Sequence, residues 1–325
     1  MTQTNILLEA GTNELEIVEF HIDEIEPDGV TPYKGFYGVN VAKVLEIIRL
    51  PKVTELPEVR DKAVLGAFNL RSHIIPLVDL ALWLGKARST SNAAKVIVTE
   101  FNNVTTAFMV SGVNRIHRIS WEEVESPNTY VSTITNNTIT GVVKLEGRIV
   151  FLLDLERIVG ALNPQLALRL DEAIDWGTGE RYRALVADDS TVIREMLKDL
   201  MQRANFEVED VSNGRDAWER LEALKKKSIA DDKPIESYVQ CVVSDIEMPQ
   251  MDGHNLCKRI KDDPILKRLP VLLFSSLITD KLRHKGLAVG ADEQISKPEV
   301  TTLAQKALNL IKAKGFGASA ATPTS

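Results

Sequence analysis

Cysteine, excess positive charge and long apolar runs are all scarce in this sequence. Its 325 residues include two cysteines, Cys241 and Cys257, and neither stands in the CxxC spacing of a zinc site. Lys and Arg number 39 against 46 Asp and Glu, a formal net charge of −7, so clustered contacts to nucleic-acid phosphates are not expected. No apolar run approaches the roughly 18 residues that span a bilayer, and residues 1–10 lack the pattern of a signal peptide. We therefore expect a cytosolic protein that does not bind nucleic acid or insert into a membrane.

The first half of the chain also lacks the motifs of several enzyme and DNA-binding classes. Residues 1–163 contain no GxGxxG or P-loop pattern, no HExxH, no GxSxG and no basic recognition helix. Short runs rich in Val, Ile, Phe and Thr alternate there with Gly, Asn, Asp and Pro, which is typical of an all-β barrel or sandwich. The predicted strands are residues 15–22, 36–41, 64–69, 74–79, 95–101, 105–110, 141–145 and 149–154.

The second half alternates strand-like and helix-like patterns. Strand-like runs predict strands at residues 184–187, 206–211, 241–244, 271–274 and 293–296. Helical patterns follow them at residues 192–203, 214–227, 253–261, 280–288 and 300–314. This series predicts a doubly wound α/β domain of the flavodoxin-like kind, a five-stranded parallel sheet covered by helices on both faces.

The change of pattern divides the chain into segments. We expect a first domain over residues 1–165, a linker over residues 166–181 and a second domain over residues 182–314. Residues 315–325 are Gly, Ala, Ser, Thr and Pro with a single Phe, and we expect them to form a disordered tail.

Acidic side chains directly follow two predicted strands of the second domain. Asp188 and Asp189 come after residues 184–187, and Asp245 comes after residues 241–244. Because the carboxyl ends of parallel strands form one crevice, we expect these carboxylates to converge. Three carboxylates in a small cleft repel one another unless a cation is present, and Mg²⁺ prefers oxygen ligands of this kind. A helix cap and a turn would also explain these Asp residues, but each explains one motif only.

A hydroxyl and an ammonium group follow later strands at the same edge of the sheet. Ser275 comes after residues 271–274, and Lys297 comes after residues 293–296. Together with Mg²⁺, these groups could hold a phosphoryl group during in-line transfer to a carboxylate. Asp245 is the best candidate for the nucleophile, because it is the single carboxylate at the central strand.

The order of these motifs resembles that of a response regulator receiver domain over residues 182–314. The motifs are Asp188-Asp189, Asp245 with Met251-Asp252-Gly253, Ser275-Ser276 and Lys297-Pro298. The resemblance implies Mg²⁺-dependent phosphorylation of Asp245 by a histidine kinase. It also implies roles by position: Asp189, Asp245 and the Glu247 backbone carbonyl as metal ligands, Asp188 acting on the metal through water, Lys297 pairing with the phosphoryl group and Ser275 hydrogen-bonding to it.

Two positions depart from the receiver pattern. The family often has an aromatic switch residue three positions before the lysine, where this chain has Gln294, and this leaves the form of the output signal open. Glu247 occupies a variable position beside the acceptor, where its carboxylate could obstruct an attacking water. Glu247 also bears on a different hypothesis, a phosphatase of the haloacid dehalogenase type. That family requires an Asp at this position, so Glu247 disfavours it.

A strand, a polar turn and a second strand stand out over residues 66–80. The turn Asn69-Leu70-Arg71-Ser72 resembles the signature of the CheW-like chemotaxis coupling domain, which usually has Gly in place of Ser72. The resemblance extends over residues 15–159 and implies two small β-barrels that bridge chemoreceptors and the chemotaxis histidine kinase. By position, Val44, Glu46 and Arg71 are the candidates for that surface. Core packing of Val44 and a surface ion pair of Arg71 are open alternatives.

A coupling domain fused to a receiver domain resembles the CheV-type family of chemotaxis proteins. This resemblance implies an adaptor that couples methyl-accepting chemoreceptors to the histidine kinase and is regulated by phosphorylation of Asp245. It implies a cytoplasmic protein that is recruited to membrane chemoreceptor arrays and is not a dedicated enzyme. The alternative hypothesis is a phosphate sink, in which the receiver drains phosphoryl groups from the kinase and the first domain only places it nearby.

Overall fold

The computed structural model describes residues 13–25, 31–59, 61–86, 94–101, 104–127, 138–162, 180–276 and 280–317. The chain forms two compact units, Leu15–Ala167 and Met1–Glu14 together with Leu168–Ser325. It therefore passes from one unit to the other twice, after residue 14 and after residue 167. Most of the predicted linker and most of the predicted tail lie outside the described residues. Within the described ranges, no helix is long and apolar enough to cross a bilayer.

The first unit is built from β-strands, with short helical segments between them. The described strands are β1 (Glu14–Ile25), β2 (Pro32–Asn40), β3 (Val44–Arg49), β4 (Val64–Leu70), β5 (His73–Asp79), β6 (Lys95–Phe101), β7 (Val104–Val110), β8 (Gly112–Ser120), β9 (Ile139–Leu145) and β10 (Arg148–Leu153). The α-helices are α1 (Leu80–Trp83) and α2 (Leu155–Leu162). The strands form two five-stranded sheets with the orders β8-β1-β2-β10-β9 and β3-β6-β7-β5-β4. This architecture confirms the all-β prediction.

The main core of the first unit is made by side chains of both sheets. Val18, Phe20 and Ile22 alternate along β1 and are buried. They belong to one apolar cluster with Ile97 of β6 and Phe108 of β7. The period of two places every second β1 side chain on this inner face, which explains why the alternating sequence forms a strand. A hairpin with Glu146 and Gly147 at its turn joins β9 to β10, and these residues have φ +50° and +78°.

Two strands of the first unit, β3 and β8, were not predicted from the sequence. Both lie at an edge of their sheets. Edge strands bury fewer side chains than central ones, so their apolar pattern is weak. In β8, for example, the six residues after Gly112 are half-buried or exposed, and four of them are polar: Asn114, Arg115, His117 and Arg118.

The second unit is a parallel sheet flanked by helices. Its strands are β11 (Tyr182–Ala187), β12 (Phe206–Val211), β13 (Cys241–Asp245), β14 (Val271–Ser275) and β15 (Glu293–Ser296), in the spatial order β12-β11-β13-β14-β15. Its helices are α3 (Thr191–Arg203), α4 (Gly214–Ala230), α5 (Gly253–Asp262), α6 (Asp280–Ala288) and α7 (Leu303–Ala313). All described strand pairs are parallel, which confirms the predicted doubly wound fold.

The core of the second unit explains its strand sequences. Every residue of β13 and β14 is buried, as expected of central strands covered on both faces. Both cysteines, Cys241 in β13 and Cys257 in α5, are buried free thiols. At the start of the predicted tail, Phe316 is buried in the same core, and the Gly317 carbonyl accepts a hydrogen bond from Gln240.

Candidate functional site

Three carboxylates meet at the carboxyl edge of the parallel sheet. Asp188 and Asp189 follow β11, and Asp245 is the last residue of β13. One carboxylate oxygen from each of the three lies within 4.8 Å of the others. Because β11 and β13 are neighbours in the sheet, their ends bring these residues together although 56 residues separate Asp189 from Asp245 along the chain. The predicted convergence of the acidic side chains is confirmed in position.

Asp188 is held by the turn that leads into α3. Its Oδ1 accepts a hydrogen bond from the Ser190 N–H at 2.8 Å. Ser190 is itself the cap of α3, because its hydroxyl accepts from the Ile193 N–H. The two Asp residues are therefore not needed as helix caps. The buried Oδ2 of Asp188 has no hydrogen-bond partner among the described residues, so it is available to a cation or a water.

Lys297 is the cation of this cluster. Its Nζ lies 3.6 Å from Asp188 Oδ2 and 3.6 Å from Asp245 Oδ1. The residue follows β15, is buried, and also lies over the ring of Phe274. Ser275 ends β14 and pairs in register with Ser296, which directly precedes Lys297. The sheet thus places Lys297 against the carboxylates and Ser275 at the same edge, as the sequence predicted.

The electrostatic balance of the site is unfavourable for three negative charges. Burial raises the pKa of Asp188, although the Lys297 charge, the Ser190 N–H and the Arg194 charge act in the other direction. Burial raises the pKa of Asp245 well above its usual range, although the Lys297 charge opposes this effect. The charges of Asp188, Asp189 and Glu247 raise the pKa of Asp245 further. A single ammonium group does not compensate this much negative charge, so the site favours a further cation.

These features fit a magnesium ion. The donors are carboxylate oxygens, one buried oxygen of Asp188 has no hydrogen-bond partner in the described structure, and Mg²⁺ is a small hard cation that prefers such ligands. Asp189 and Asp245 would hold the ion directly, and Asp188 through water. The Glu247 carbonyl, two residues beyond β13, remains the predicted third ligand.

Arg194 supports the site and was not predicted from the sequence. Its Nη1 donates to the Asp188 carbonyl at 2.7 Å, and its Nη2 donates to the Thr191 hydroxyl. Its Nε lies 3.5 Å from Asp210 on β12. Arg194 therefore fixes the main chain of Asp188 from α3. Its position six residues after the aspartate, on the first turn of a helix that begins at the strand end, was the available signal.

Gln294 lies where the receiver family often has an aromatic residue. Its side chain is buried, and Nε2 donates to the Arg283 carbonyl of α6 at 2.9 Å. Gly286 of α6 leaves the space for this amide, because a Cβ there would lie 2.3 Å from Gln294 Oε1. A hydrogen bond between β15 and α6 thus stands where a ring would pack.

The three predicted coupling residues lie in the first unit. Arg71 Nη2 lies 3.2 Å from Glu46 Oε2, so the turn between β4 and β5 reaches β3. The Arg71 side chain is 79% exposed, and this pair is a weak surface contact. Val44 is half-buried and packs against the core of the unit, in agreement with the core-packing alternative. The structure therefore brings Glu46 and Arg71 together on the surface and places Val44 partly in the core.

The turn that carries Arg71 has a left-handed backbone. Arg71 has φ +48° and Ser72 has φ +75°. A two-residue turn of this kind favours Asn-Gly, so Ser72 stands where Gly would be less strained. The Asn69 side chain accepts a hydrogen bond from the Ser72 N–H at 3.1 Å and supports the turn.

Comparison with known proteins finds one family in each half of the chain. Residues 16–163 match the CheW-like domain family, and residues 184–309 match the response regulator receiver domain family. Among solved structures, the scaffolding protein TtCheW from Thermoanaerobacter tengcongensis is 25% identical with a TM-score of 0.38, covering 43% of this chain and 88% of that one.

Two relatives match most of the chain. The chain is 38% identical over 285 residues to chemotaxis protein CheV3 of Helicobacter pylori, covering 86% of this chain and 89% of that protein. It is 29% identical over 309 residues to chemotaxis protein CheV2 of the same organism, covering 89% and 92%. The chain therefore belongs to the CheV family of chemotaxis proteins, signal-transduction adaptors in which a CheW-like domain precedes a receiver domain.

Proposed function

We propose that this adaptor couples methyl-accepting chemoreceptors to the chemotaxis histidine kinase and that phosphorylation of Asp245 regulates the coupling. The observation that carries the regulatory part is the geometry around Asp245. A buried carboxylate at the end of β13 lies beside two further Asp residues and 3.6 Å from the Lys297 ammonium group. This arrangement supports the proposal, because phosphoryl transfer to a carboxylate needs a nucleophile, a charge partner and metal ligands.

The reaction we propose is an in-line transfer. A carboxylate oxygen of Asp245 attacks the phosphorus of a phosphohistidine on the kinase, a P–O bond forms, the P–N bond breaks, and the leaving imidazole nitrogen takes up a proton from water. Mg²⁺, when bound by Asp189 and Asp245, supplies charge neutralisation for the phosphoryl oxygens. Lys297 is already placed against Asp245 and pairs with the phosphoryl group after transfer. Ser275 donates a hydrogen bond to it.

The protein's own chemistry is limited to this acceptor role. A phosphatase of the haloacid dehalogenase type would use a second Asp as an acid and base, and Glu247 occupies that position. We therefore propose that the protein receives a phosphoryl group, returns it to water, and is not a dedicated enzyme. We propose that it works in the cytoplasm, at membrane chemoreceptor arrays.

The coupling surface we propose includes Glu46 and Arg71, with Val44 supporting it from below. Support comes from the exposure of Arg71 at a strained turn and from its contact with Glu46. Strained backbone persists where the surrounding structure holds it, and such sites are often functional. The partners of this surface are the histidine kinase and the chemoreceptors.

A reconstituted mixture of chemoreceptor, histidine kinase and this protein tests the proposal. We expect Asp245→Ala to retain capture of the receptor–kinase complex and to lose the change in kinase activity that phosphorylation of the wild-type protein causes. Arg71→Ala reduces capture without affecting phosphorylation of Asp245. The phosphate-sink alternative predicts instead that Asp245→Ala slows removal of phosphoryl groups from the kinase while receptor control of the kinase stays normal. Failure of the wild-type protein to join the complex would refute the adaptor role at this surface.

A further inference from the structure

The loop between β13 and α5, residues 246–252, lies directly against the end of β13. The Gly253 N–H donates to the Ile246 carbonyl at 2.8 Å, which closes the loop at its base. A Cβ at Gly253 would lie 2.1 Å from the Asp245 carbonyl, so only Gly permits this close approach. The loop carries the Glu247 carbonyl, the predicted third metal ligand. The position of the loop therefore determines where this ligand lies in the acidic site.

A side chain from the beginning of the chain holds the far end of this loop. The Asp252 N–H donates to Asn13 Oδ1 at 2.9 Å, and Asn13 Nδ2 donates to the Gln250 carbonyl at 3.2 Å. One side-chain amide thus pairs with a backbone N–H and a backbone C=O, in the way that a neighbouring strand would. Asn13 is buried and belongs to the same compact unit as the loop.

Both the backbone and the side chain of Asn13 suit this role. Asn13 has φ +59°, a left-handed conformation that Asn adopts more readily than most residues. Asp252 is buried and caps α5 by accepting from the Asn255 N–H at 2.6 Å. A buried N–H without an acceptor is unfavourable, so the bond from Asp252 to Asn13 fixes the junction of the loop and α5.

We propose that Asn13 is a positioning residue of the acidic site: it holds residues 246–252, and with them the Glu247 carbonyl, in the arrangement that binds Mg²⁺. The proposal rests on the function proposed above, because it concerns the same site. By reciprocity, an ion at the site stabilises Asn13 in its place. Asn13 is followed by Glu14, the first residue of β1, so this linkage acts where the chain passes from the receiver unit into the CheW-like unit.

Asn13→Gly tests the proposal in the full-length protein. Gly tolerates the left-handed backbone, so the variant removes the two side-chain hydrogen bonds without adding strain. Asn205→Gly is the matched control, because Asn205 has φ +63° and lies in the same unit, before β12 at the opposite edge of the sheet. The measurements are the Mg²⁺ dissociation constant by titration calorimetry and hydrogen exchange of residues 13–16 and 246–256 with and without Mg²⁺.

We expect Asn13→Gly to raise the Mg²⁺ dissociation constant about tenfold, as loss of a supporting hydrogen bond to a ligand does, and Asn205→Gly to leave it unchanged. In the wild type, Mg²⁺ slows exchange in both segments. In Asn13→Gly it slows exchange in residues 246–256 only. The conservative variant Asn13→Asp keeps the acceptor for the Asp252 N–H. We expect its Mg²⁺ dissociation constant to lie between those of the wild type and Asn13→Gly.

Equal Mg²⁺ affinity of the wild type and Asn13→Gly would overturn the proposal, and so would wild-type residues 13–16 that do not respond to Mg²⁺. A merely structural role would lower the stability of Asn13→Gly without changing the Mg²⁺ affinity of the folded protein. Phosphoryl incorporation at Asp245, measured on the same samples, separates the two proposals. Normal incorporation with unchanged Mg²⁺ affinity refutes the role of Asn13 alone, whereas absence of incorporation in the wild type refutes the proposed function.

Discussion

The first unit buries Glu19 and Glu24 among hydrogen-bond donors, whereas the second unit buries Asp188 and Asp245 among other carboxylates. Glu19 on β1 accepts from Asn114 at 2.7 Å, from Arg148 at 2.8 Å and from His117. Burial alone would raise the pKa of Glu19, but these bonds outweigh it and hold the pKa below its usual range.

Glu24 follows the same pattern. It accepts from the Tyr37 hydroxyl at 2.6 Å and from Tyr33, and the Lys86 ammonium group lies 2.6 Å away. Burial opposes ionisation of Glu24, yet these partners lower its pKa. Burial and the hydrogen bond to Glu24 raise the pKa of Tyr37, and the hydrogen bond to Glu24 raises the pKa of Tyr33, because deprotonation would break these bonds.

The number of donors and cations around a buried carboxylate distinguishes a structural carboxylate from a functional one. Glu19 and Glu24 have all the partners that a buried anion needs, so they stabilise the fold and leave nothing for a ligand. Asp245 has one ammonium group for three carboxylates, and its pKa is raised. Burial is common to both cases, and the supply of donors and cations decides between them.

The largest expected effect is the loss of a satisfied carboxylate in the first unit. Glu19→Gln keeps the size of the side chain and removes the buried carboxylate that Arg148 and His117 share, so we expect the free energy of unfolding to fall by about 3 kcal/mol. Glu16→Gln on the same strand is the matched control, because Glu16 lies 3.7 Å from the exposed Arg118 and should change stability by less than about 1 kcal/mol. Urea unfolding measures both. Equal losses in the free energy of unfolding for the two variants would show that the buried Glu19 stabilises the fold no more than the pair of Glu16 and Arg118 does.

The second effect is stabilisation of the receiver unit by Mg²⁺. At a concentration one hundred times the dissociation constant, an ion that binds only the folded state raises the free energy of unfolding by about 2.7 kcal/mol. Asp189→Asn should remove most of this gain, and Glu19→Gln should retain it, since Glu19 is not at the site. Unfolding of the receiver unit with and without Mg²⁺ measures the gain. Mg²⁺ stabilisation that persists in Asp189→Asn would place the ion elsewhere.

A third effect is a pH dependence that arises from His254 in α5. Burial and the nearby Lys285 charge lower the pKa of His254 to about 3, and its Nε2 has no hydrogen-bond partner among the described residues. The unfolded state, with the ordinary pKa near 6.5, takes up a proton first, so stability is full above pH 6.5 and falls as the pH drops towards 3.

Replacement of His254 isolates this contribution. Between pH 7 and pH 5 the wild type should lose about 2 kcal/mol more stability than His254→Leu. His284→Leu, at an exposed position of α6, should behave like the wild type. Chemical unfolding at the two pH values measures the difference. A His254→Leu variant as acid-sensitive as the wild type would show that His254 is not buried in its neutral form.

The smallest expected effect concerns the two thiols. Burial raises the pKa of Cys241 to about 12 and that of Cys257 to about 12. Neither forms a thiolate at neutral pH, so we expect no reaction of the native protein with a thiol reagent and full reaction of both after denaturation. Mass spectrometry after labelling counts the modified thiols. Rapid labelling of the native protein at either cysteine would show that its strand or helix opens.

The strand ends made much of the receiver site predictable. Strands β11, β13 and β14 have largely apolar sequences, so the residues that follow them could be assigned to one edge of the sheet from the sequence alone. Asp188, Asp245 and Lys297 meet there within 3.6 Å. The family resemblance then supplied roles that no spacing could supply.

Contacts that depend on tertiary structure could not be predicted in the same way. Asn13 and Gln250 are 237 residues apart, and nothing in either local sequence indicates that they meet. Glu19, Asn114 and Arg148 come from three strands, one of which, β8, is a largely polar edge strand that sequence patterns did not indicate. For the left-handed turn at Arg71 and Ser72, the only signal in the sequence was that the CheW-like family usually has Gly at the position of Ser72.

The most direct test of the central proposal is the intact mass of the protein after incubation with Mg²⁺ and a small-molecule phosphodonor. The wild type and Asp245→Ala are compared, and the same pair is treated with the phosphorylated histidine kinase. We expect one phosphoryl group on the wild type and none on Asp245→Ala. Equal incorporation in both proteins, or none in the wild type with either donor, would contradict the assignment of Asp245 as the regulatory phosphoacceptor.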